Sequence, residues 1–340
     1  MPTTQTAQLD QHAFRALVGQ VEKLTPGQIE NLLGVAYQTR RRFEATAAIE
    51  ARTEQEHKCP HCSTVGRQRW GRTRLGIQRY RCLGCQKTFS GRTGTVVAHL
   101  HRPGLFFDLL RNMISDRPLS CRKLAAELKT TKDTIWRWRI LALEAIGQMS
   151  DTAFAGIVEA DETHQRESRK GSREWSRHRA DPMSHAEPPR LQWYRYKNGR
   201  IKMKRGLSRW QIPVMTVMDR SGSRYLEQIP DRKVATIDAA LTPMIARDAI
   251  FCSDSGAGYL RFGAKYQLVH RVLVAIAGQH VIDGAYHIQT VNSLHGRFSA
   301  FIRPFCGPAT KYLPLFLRWF LARNRLGATE AFEKVLHAPN

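Results

Sequence analysis

The chain has 340 residues, 42% of them hydrophobic, enough to bury a core in two or three domains and too many for a disordered polymer. Lys and Arg number 53 against 29 acidic residues, a net charge of +24, and clustered positive charge of this size points to a polyanionic partner whose counterions it displaces. No apolar run approaches the ~18 residues of a membrane helix, and Met1 to Gln20 is polar and lacks a secretory signal, so the expected location is cytoplasmic and nucleoid-associated, with no membrane partner.

In chain order, residues 1–58 read as a helical N-terminal segment. Thr25, Pro26 and Gln28 have the form of a capping box with proline at the first helical position. They predict a helix from about Pro26 to Ala51 with Ile29, Leu32, Leu33, Ala36 and Tyr37 on one face. Arg40, Arg41 and Arg42 follow, equally suited to a solvated face or to a DNA contact.

Residues 59–95 form a cysteine module. Cys59-Pro-His-Cys62 and Cys82-Leu-Gly-Cys85 are separated by 19 residues, the spacing of a zinc ribbon with a structural Zn2+. Each pair presents two thiolates from a tight knuckle. Four thiolates close a tetrahedron with no position left for water, so this metal stabilises and does not catalyse. His61 is expected near the surface and not as a ligand. Nine Lys or Arg lie from Lys58 to Arg92, with no acidic residue among them. Trp70, Tyr80 and Phe89 are expected to form the small core of the ribbon.

Residues 104–150 look all-helical. Leu105 to Met113 is one apolar helix; Ser120 to Leu128 and Lys132 to Arg139 are two more, with Ser120 and Thr131 as N-caps. Leu124, Ala125, Leu128, Ile135 and Trp138 are spaced for two helices packed across a short turn, which resembles a helix-turn-helix. On that reading Lys132, Thr134, Arg137 and Arg139 face DNA. An ordinary helical hairpin is the alternative.

Residues 155–325 look α/β. Ile157 to Asp161, Ile212 to Met218, Arg224 to Ile229, Ala249 to Asp254 and Tyr266 to His270 suit strands, with helices at Ala235 to Arg247, Gln289 to Arg303 and Lys311 to Arg323. The residues after Gly327 are expected to be peripheral. Two of the strands, Ile157-Val-Glu-Ala-Asp161-Glu162 and Ala249-Ile-Phe-Cys-Ser-Asp254, are apolar runs that end in carboxylates. Such carboxylates are costly unless paired or metal-bound. On neighbouring strands, Asp161 and Asp254 would share hard cations such as Mg2+.

These pieces, in this order, resemble the insertion-sequence transposases of the ISXO type, a zinc-ribbon branch of the DDE transposase superfamily. The resemblance covers nearly all of the chain after residue 58. It is carried by the Cys59–Cys85 ribbon, Val158-Glu-Ala-Asp161-Glu162-Thr, Ser253-Asp254, His287-Ile-Gln-Thr-Val-Asn292-Ser and Gly307-Pro-Ala-Thr-Lys311-Tyr-Leu. It implies an α/β fold with an RNase H-like catalytic core at 155–325, preceded by a zinc ribbon and a helix-turn-helix. In that core, metal-binding side chains come from the first strand, the fourth strand and a following helix. Asp161 and Asp254 match the first two. Asn292 stands where most of these enzymes place a glutamate; its amide oxygen can ligate Mg2+ or Mn2+ but brings no charge. His287 and Lys311 are candidates for contacting DNA. The basic insertion at about 164–210 holds fourteen Lys or Arg against four acidic residues from His164 to Arg209, with Trp175, Trp193, Tyr194 and Tyr196 interspersed. It would grip a DNA backbone, or be a solvated, partly disordered insertion.

The implied function is a DNA transposase. It binds double-stranded DNA at the transposon ends and at the target, cleaves with catalytic Mg2+ or Mn2+, and transfers the strand as a homodimer or larger assembly. The rivals are a catalytically decayed zinc-ribbon and helix-turn-helix regulator, and a metal-dependent nuclease without strand transfer.

Overall fold

The computed structural model describes residues 9–188, 193–195, 201–203, 210–274 and 277–338. The chain divides into two compact units, Met1–Asn112 with Ala328–Asn340, and Met113–Gly327.

The first unit opens with α1 (Gln11–Val21) and the long α2 (Pro26–Gln55). The capping box is formed: Gln28 N donates to Thr25 Oγ1 at 3.3 Å, and Thr25 N donates to Gln28 Oε1 at 2.9 Å. A three-stranded antiparallel sheet follows, β1 (Arg67–Arg72), β2 (Gln78–Cys82) and β3 (Thr88–Phe89), in the order β1-β2-β3. Helix α3 (Pro103–Ile114) comes next, and Arg41 Nε lies 2.6 Å from the buried Asp108 on it. The C-terminal residues are not peripheral. They form a helix at Ala328–His337 whose Ala331, Phe332, Val335 and Leu336 are buried, because four apolar residues at helical spacing make one continuous stripe. Phe332 meets Phe107 edge-on at 5.2 Å.

The second unit begins with α4 (Cys121–Glu127) and α5 (Lys132–Ile146), capped by Ser120 and Thr131 as their sequences predict. Strand β4 (Ile157–Arg166) leads to α6 (Glu174–Ala180) and to a two-stranded hairpin of β5 (Trp193–Arg195) and β6 (Ile201–Met203). Most of the basic insertion beyond residue 188, Tyr196 included, lies outside the described residues. The rest is β7 (Gln211–Asp219), β8 (Arg224–Gln228), α7 (Val234–Leu241), β9 (Ile250–Asp254), α8 (Ala257–Lys265), β10 (Val269–Leu273), α9 (Gln289–Ile302) and α10 (Leu313–Arg323). With α10 introduced, the C-terminal helix of the first unit is α11.

Five strands form one mixed sheet in the order β10-β9-β4-β7-β8. Strands β4, β7 and β8 pair antiparallel, while β9 and β10 run parallel to β4. Alternation then sorts the faces. Val158, Ala160, Met215, Val217 and Phe251 turn to one side and pack with Ile237, Leu241, Tyr259 and Phe262 of α7 and α8. Glu159, Asp161 and Thr216 turn to the other. Several element boundaries differ from the sequence pattern: α2 runs on to Gln55, β4 to Arg166 and α5 to Ile146, and two others have a local cause. Helix α7 stops at Leu241, two residues before Pro243, which has no N–H to continue the ladder. Tyr266 caps α8 and Gln267 takes φ +54°, so the last strand starts at Val269.

Candidate metal centres and their surroundings

The two cysteine knuckles are built alike. Cys59 N donates to Thr64 O and Ser63 N to Cys59 O, at 3.0 and 2.8 Å; Cys82 N donates to Lys87 O and Gln86 N to Cys82 O, at 3.0 and 3.1 Å. In each, the fourth residue after the first cysteine takes the left-handed conformation, Ser63 at φ +59° and Gln86 at φ +61°. The β1–β2 hairpin carries the second knuckle back against the first. All four sulfurs lie within 4.8 Å of one another, with Cys59–Cys85 at 3.8 Å and Cys62–Cys82 at 3.6 Å. A disulfide needs about 2.05 Å, whereas four thiolates about 2.3 Å from one zinc ion have tetrahedral edges near ~3.8 Å. The donor set fits a closed structural zinc site. Hydrogen bonding to Thr64 draws the Cys62 thiol down to about 6, while the hydrogen-bonded neighbours Cys62, Cys59 and Cys82 help to push Cys85 up to about 11, so the four thiols share their protons unequally.

His61 is exposed, as expected. Tyr80 and Phe89 stack at 5.9 Å beside Cys59 and Cys82. Trp70 is a correction: it is exposed on β1, where the Arg81 guanidinium lies 4.6 Å from its ring. A three-stranded sheet this small has only one covered face, so Trp70 trades burial for a cation–π contact.

The carboxylates of the second unit are placed by register. Strands β4 and β9 run parallel, and their pairing ends at Ala160↔Ser253. Asp161 and Asp254 are the next residues on each strand and lie side by side at the mouth where β9 stops. Asp161 Oδ1 accepts from Glu162 N at 2.8 Å, and Asp254 Oδ1 accepts from Gly256 N at 2.9 Å. Burial, with the Asp254 and Glu162 carboxylates adding to it, pushes Asp161 up to about 7. Glu162 is also raised, mainly by burial, although Arg232 Nε approaches its Oε1 at 3.3 Å. Among the described residues, no group of three His, Cys, Asp or Glu besides the four cysteines gathers its ligand atoms within 4.8 Å.

Glu159 was not singled out in the sequence, yet it is the most fully engaged carboxylate of this face. It is 1% exposed. It accepts from Thr290 N at 2.9 Å, Thr290 Oγ1 at 2.8 Å and Val291 N at 3.1 Å, and Arg220 Nη2 lies at 2.9 Å. An anion that takes the free N–H groups of a helix start favours the helix dipole and fixes the helix. Glu159 thereby docks α9 on the same face of β4 that carries Asp161. Asn292 follows directly after the two anchored amides, on the first turn of α9, and is exposed. His287 is partly exposed, with its ring 3.3 Å from Glu159 and 3.2 Å from Arg220 Nη2. The signal available in advance was an acidic residue two positions before Asp161, hence on the same strand face. Further along α9, His295 Nε2 meets Thr216 Oγ1 at 2.9 Å, and burial takes the His295 imidazole down to about 4.

Of the residues expected to face DNA from α5, Lys132 and Arg137 are exposed, and the Thr134 hydroxyl meets that of Thr131 at 2.9 Å. Arg139 is a correction. It is 1% exposed, donates from Nη2 to Leu119 O at 3.0 Å, and lies 4.6 Å from the Trp319 ring. Its position explains this: Ile135, Arg139, Ala142 and Ile146 occupy the buried stripe of α5. Lys311 is exposed, with Nζ 4.8 Å from the Tyr312 ring. The adjoining Thr310 N donates to Ser168 O, and Ser168 N to Thr310 Oγ1, both at 2.8 Å. Lys311 therefore flanks the start of the basic segment. No described helix is long and apolar enough to cross a membrane.

Compared with known proteins, the chain matches no protein-family model and no curated sequence.

Proposed function

We propose that the protein is a DNA transposase of the ISXO type, with an RNase H-like core formed around the five-stranded sheet. The observation that carries this reading is the side-by-side placement of Asp161 and Asp254 at the ends of parallel strands, with Asp161 pushed up to about 7. Two carboxylates so arranged repel each other, and a divalent cation relieves that repulsion. Asp161 sits on the first strand of the sheet, Asp254 on the fourth and Asn292 on a following helix, the order in which the family supplies its ligands.

Asp161 and Asp254 would hold Mg2+ or Mn2+, and Asn292 would add a neutral oxygen from a helix that Glu159 anchors. A divalent cation held there would supply Lewis-acid chemistry to phosphodiester cleavage. The reaction is hydrolysis at the element's end, which frees a 3′-hydroxyl, followed by attack of that hydroxyl on target DNA. The α4–α5 pair acts as a helix-turn-helix, with Lys132 and Arg137 as its phosphate and base contacts. The ribbon segment adds nine Lys or Arg and no acid from Lys58 to Arg92.

The test is a strand-transfer assay with purified protein, labelled DNA carrying the element's ends, a target plasmid and Mg2+ or Mn2+. Joined products that disappear in Asp254→Ala, with end-binding retained, support the reading. The neutrality of Asn292 favours a second one, a decayed enzyme that only binds DNA. Tight end-binding without cutting under either metal would select it.

A further inference from the structure

Among the described residues, 9–43 carry nine of the sixteen exposed large hydrophobic side chains: Leu9, Phe14, Leu17, Val18, Leu32, Leu33, Val35, Tyr37 and Phe43, each 38% to 57% exposed. They are not scattered. Phe14, Leu17, Val18 and Val21 follow the i, i+3, i+4, i+7 spacing of one stripe on α1, and Ile29, Leu32, Leu33, Ala36 and Tyr37 follow the same spacing on α2. Helix α1 buries no residue, and the first buried residue of α2 is Ala45. An 11-residue helix is marginal in water without a packed face. Both stripes therefore call for a cover that a single chain does not supply among the described residues.

We propose that the helix pair α1 and α2 is the dimerisation surface of the protein and that its occupant is the same pair of a second copy. Three observations choose that occupant. The first is area. Nine half-exposed side chains of this size offer on the order of 100 Å2 each, together close to the ~800 Å2 per partner that a stable interface buries. The second is charge. From Leu9 to Phe43 the charged residues are Asp10, Arg15, Glu22, Lys23, Glu30, Arg40, Arg41 and Arg42, which sum to only +2 in a chain whose net charge is +24. Two copies meet here without the like-charge repulsion that the basic ribbon would impose. The same low charge disfavours an anionic membrane, which is bound by helices with Lys and Arg on the polar face. The third is symmetry. Two copies of the pair related by a two-fold axis bring four helices together, so that each stripe finds an equally apolar partner. Just beyond the stripe, Arg40 pairs with Glu44 and Arg41 with Asp108 within the chain, so these cations do not oppose a second copy.

Association through this surface requires neither DNA nor catalysis. Sedimentation equilibrium of the full-length zinc-loaded chain at micromolar concentration should give a dimer. Leu17→Glu with Leu33→Glu should weaken association about a hundredfold or more and give a monomer. Both side chains are exposed in the single chain, so zinc content should stay unchanged. Phe14→Ser with Tyr37→Ser should act in the same direction. Amides from 11 to 43 should exchange slowly in the dimer and fast in the monomeric variant. A monomeric wild-type chain, or variants that remain dimeric with unaltered exchange over 11–43, would overturn the proposal.

Discussion

Two side chains in the second unit illustrate how burial turns a titrating group into a pH-dependent term in stability. Asp161 is pushed up to about 7, against about 3.9 in an unfolded chain. A raised carboxylate favours the folded state when protonated, so stability falls as pH rises from about 4 to about 7. Asp161→Asn removes the buried charge. The metal-free variant should melt at a higher temperature than the metal-free wild type at pH 8, by at most about 4 kcal/mol of stability, and the gap should close at pH 4. Its DNA cleavage should be lost all the same. An equal or lower melting point at pH 8 would mean that Asp161 is solvated and charged. His295 has the opposite sign. Burial first, then the neighbouring His164, takes it down to about 4. A depressed imidazole stabilises above its unfolded value of about 6.5 and loses that contribution as pH falls toward 4. His295→Gln keeps a side chain able to reach Thr216 and cannot charge. Between pH 7 and pH 5 the wild type should lose about 2 kcal/mol more than this variant in urea denaturation.

At the scale of elements, the strand-to-helix contact at Glu159 is the one with most at stake. Its carboxylate holds two backbone amides and a hydroxyl at the start of α9, beside Arg220. Removing it leaves donors and a cation unpaired in a buried place, where each lost partner costs about 1–3 kcal/mol. Glu159→Ala should therefore destabilise the protein by several kcal/mol, about 3 or more by that reckoning. The amides of Thr290 and Val291 should exchange much faster in hydrogen-exchange mass spectrometry. Glu159→Gln should recover part of the protection, since a neutral amide oxygen still accepts. If exchange at the start of α9 is unchanged in the alanine variant, Glu159 does not anchor the helix. The same element-level logic governs α5, where one helix presents Lys132 and Arg137 to solvent and sinks Arg139 between Leu119 and Trp319. Arg137→Ala should weaken DNA binding with little effect on folding, whereas Arg139→Ala should destabilise the second unit.

At the scale of the whole molecule, each compact unit has its own means of cohesion. The second rests on an apolar sheet and the helices over it. The first owes its ribbon to four sulfurs, because β1, β2 and β3 are short and cover only Phe89 and two cysteines in full. Zinc analysis should find one ion per chain. Cys82→Ser or a strong chelator should remove it, and amides from 59 to 89 should lose protection while those of β4, β7 and β9 keep theirs. Retained protection over the ribbon after zinc is gone would show that its few apolar contacts suffice without the metal.

The sequence by itself determined whatever is decided within one turn or one strand. Two C-x2-C pairs define two knuckles because the turn that joins each pair is local. Thr25, Ser120 and Thr131 cap helices because an N-cap needs only the next three residues. Apolar runs that end at Asp161 and Asp254 are strands because their length and composition suit little else. Only the tertiary structure decided which face of each element is covered. It buried Arg139, exposed Trp70, and made a core helix of the residues after Gly327. It also gave Glu159 a helix to hold, a role no local pattern carries, since Thr290 and Val291 lie 131 and 132 residues away. The physical reason is common to all of these. Hydrogen bonds within a turn and alternation along a strand are short-range and written in neighbouring residues. Burial depends on what packs from elsewhere in the chain, and a charged or aromatic side chain takes whichever partner that packing supplies.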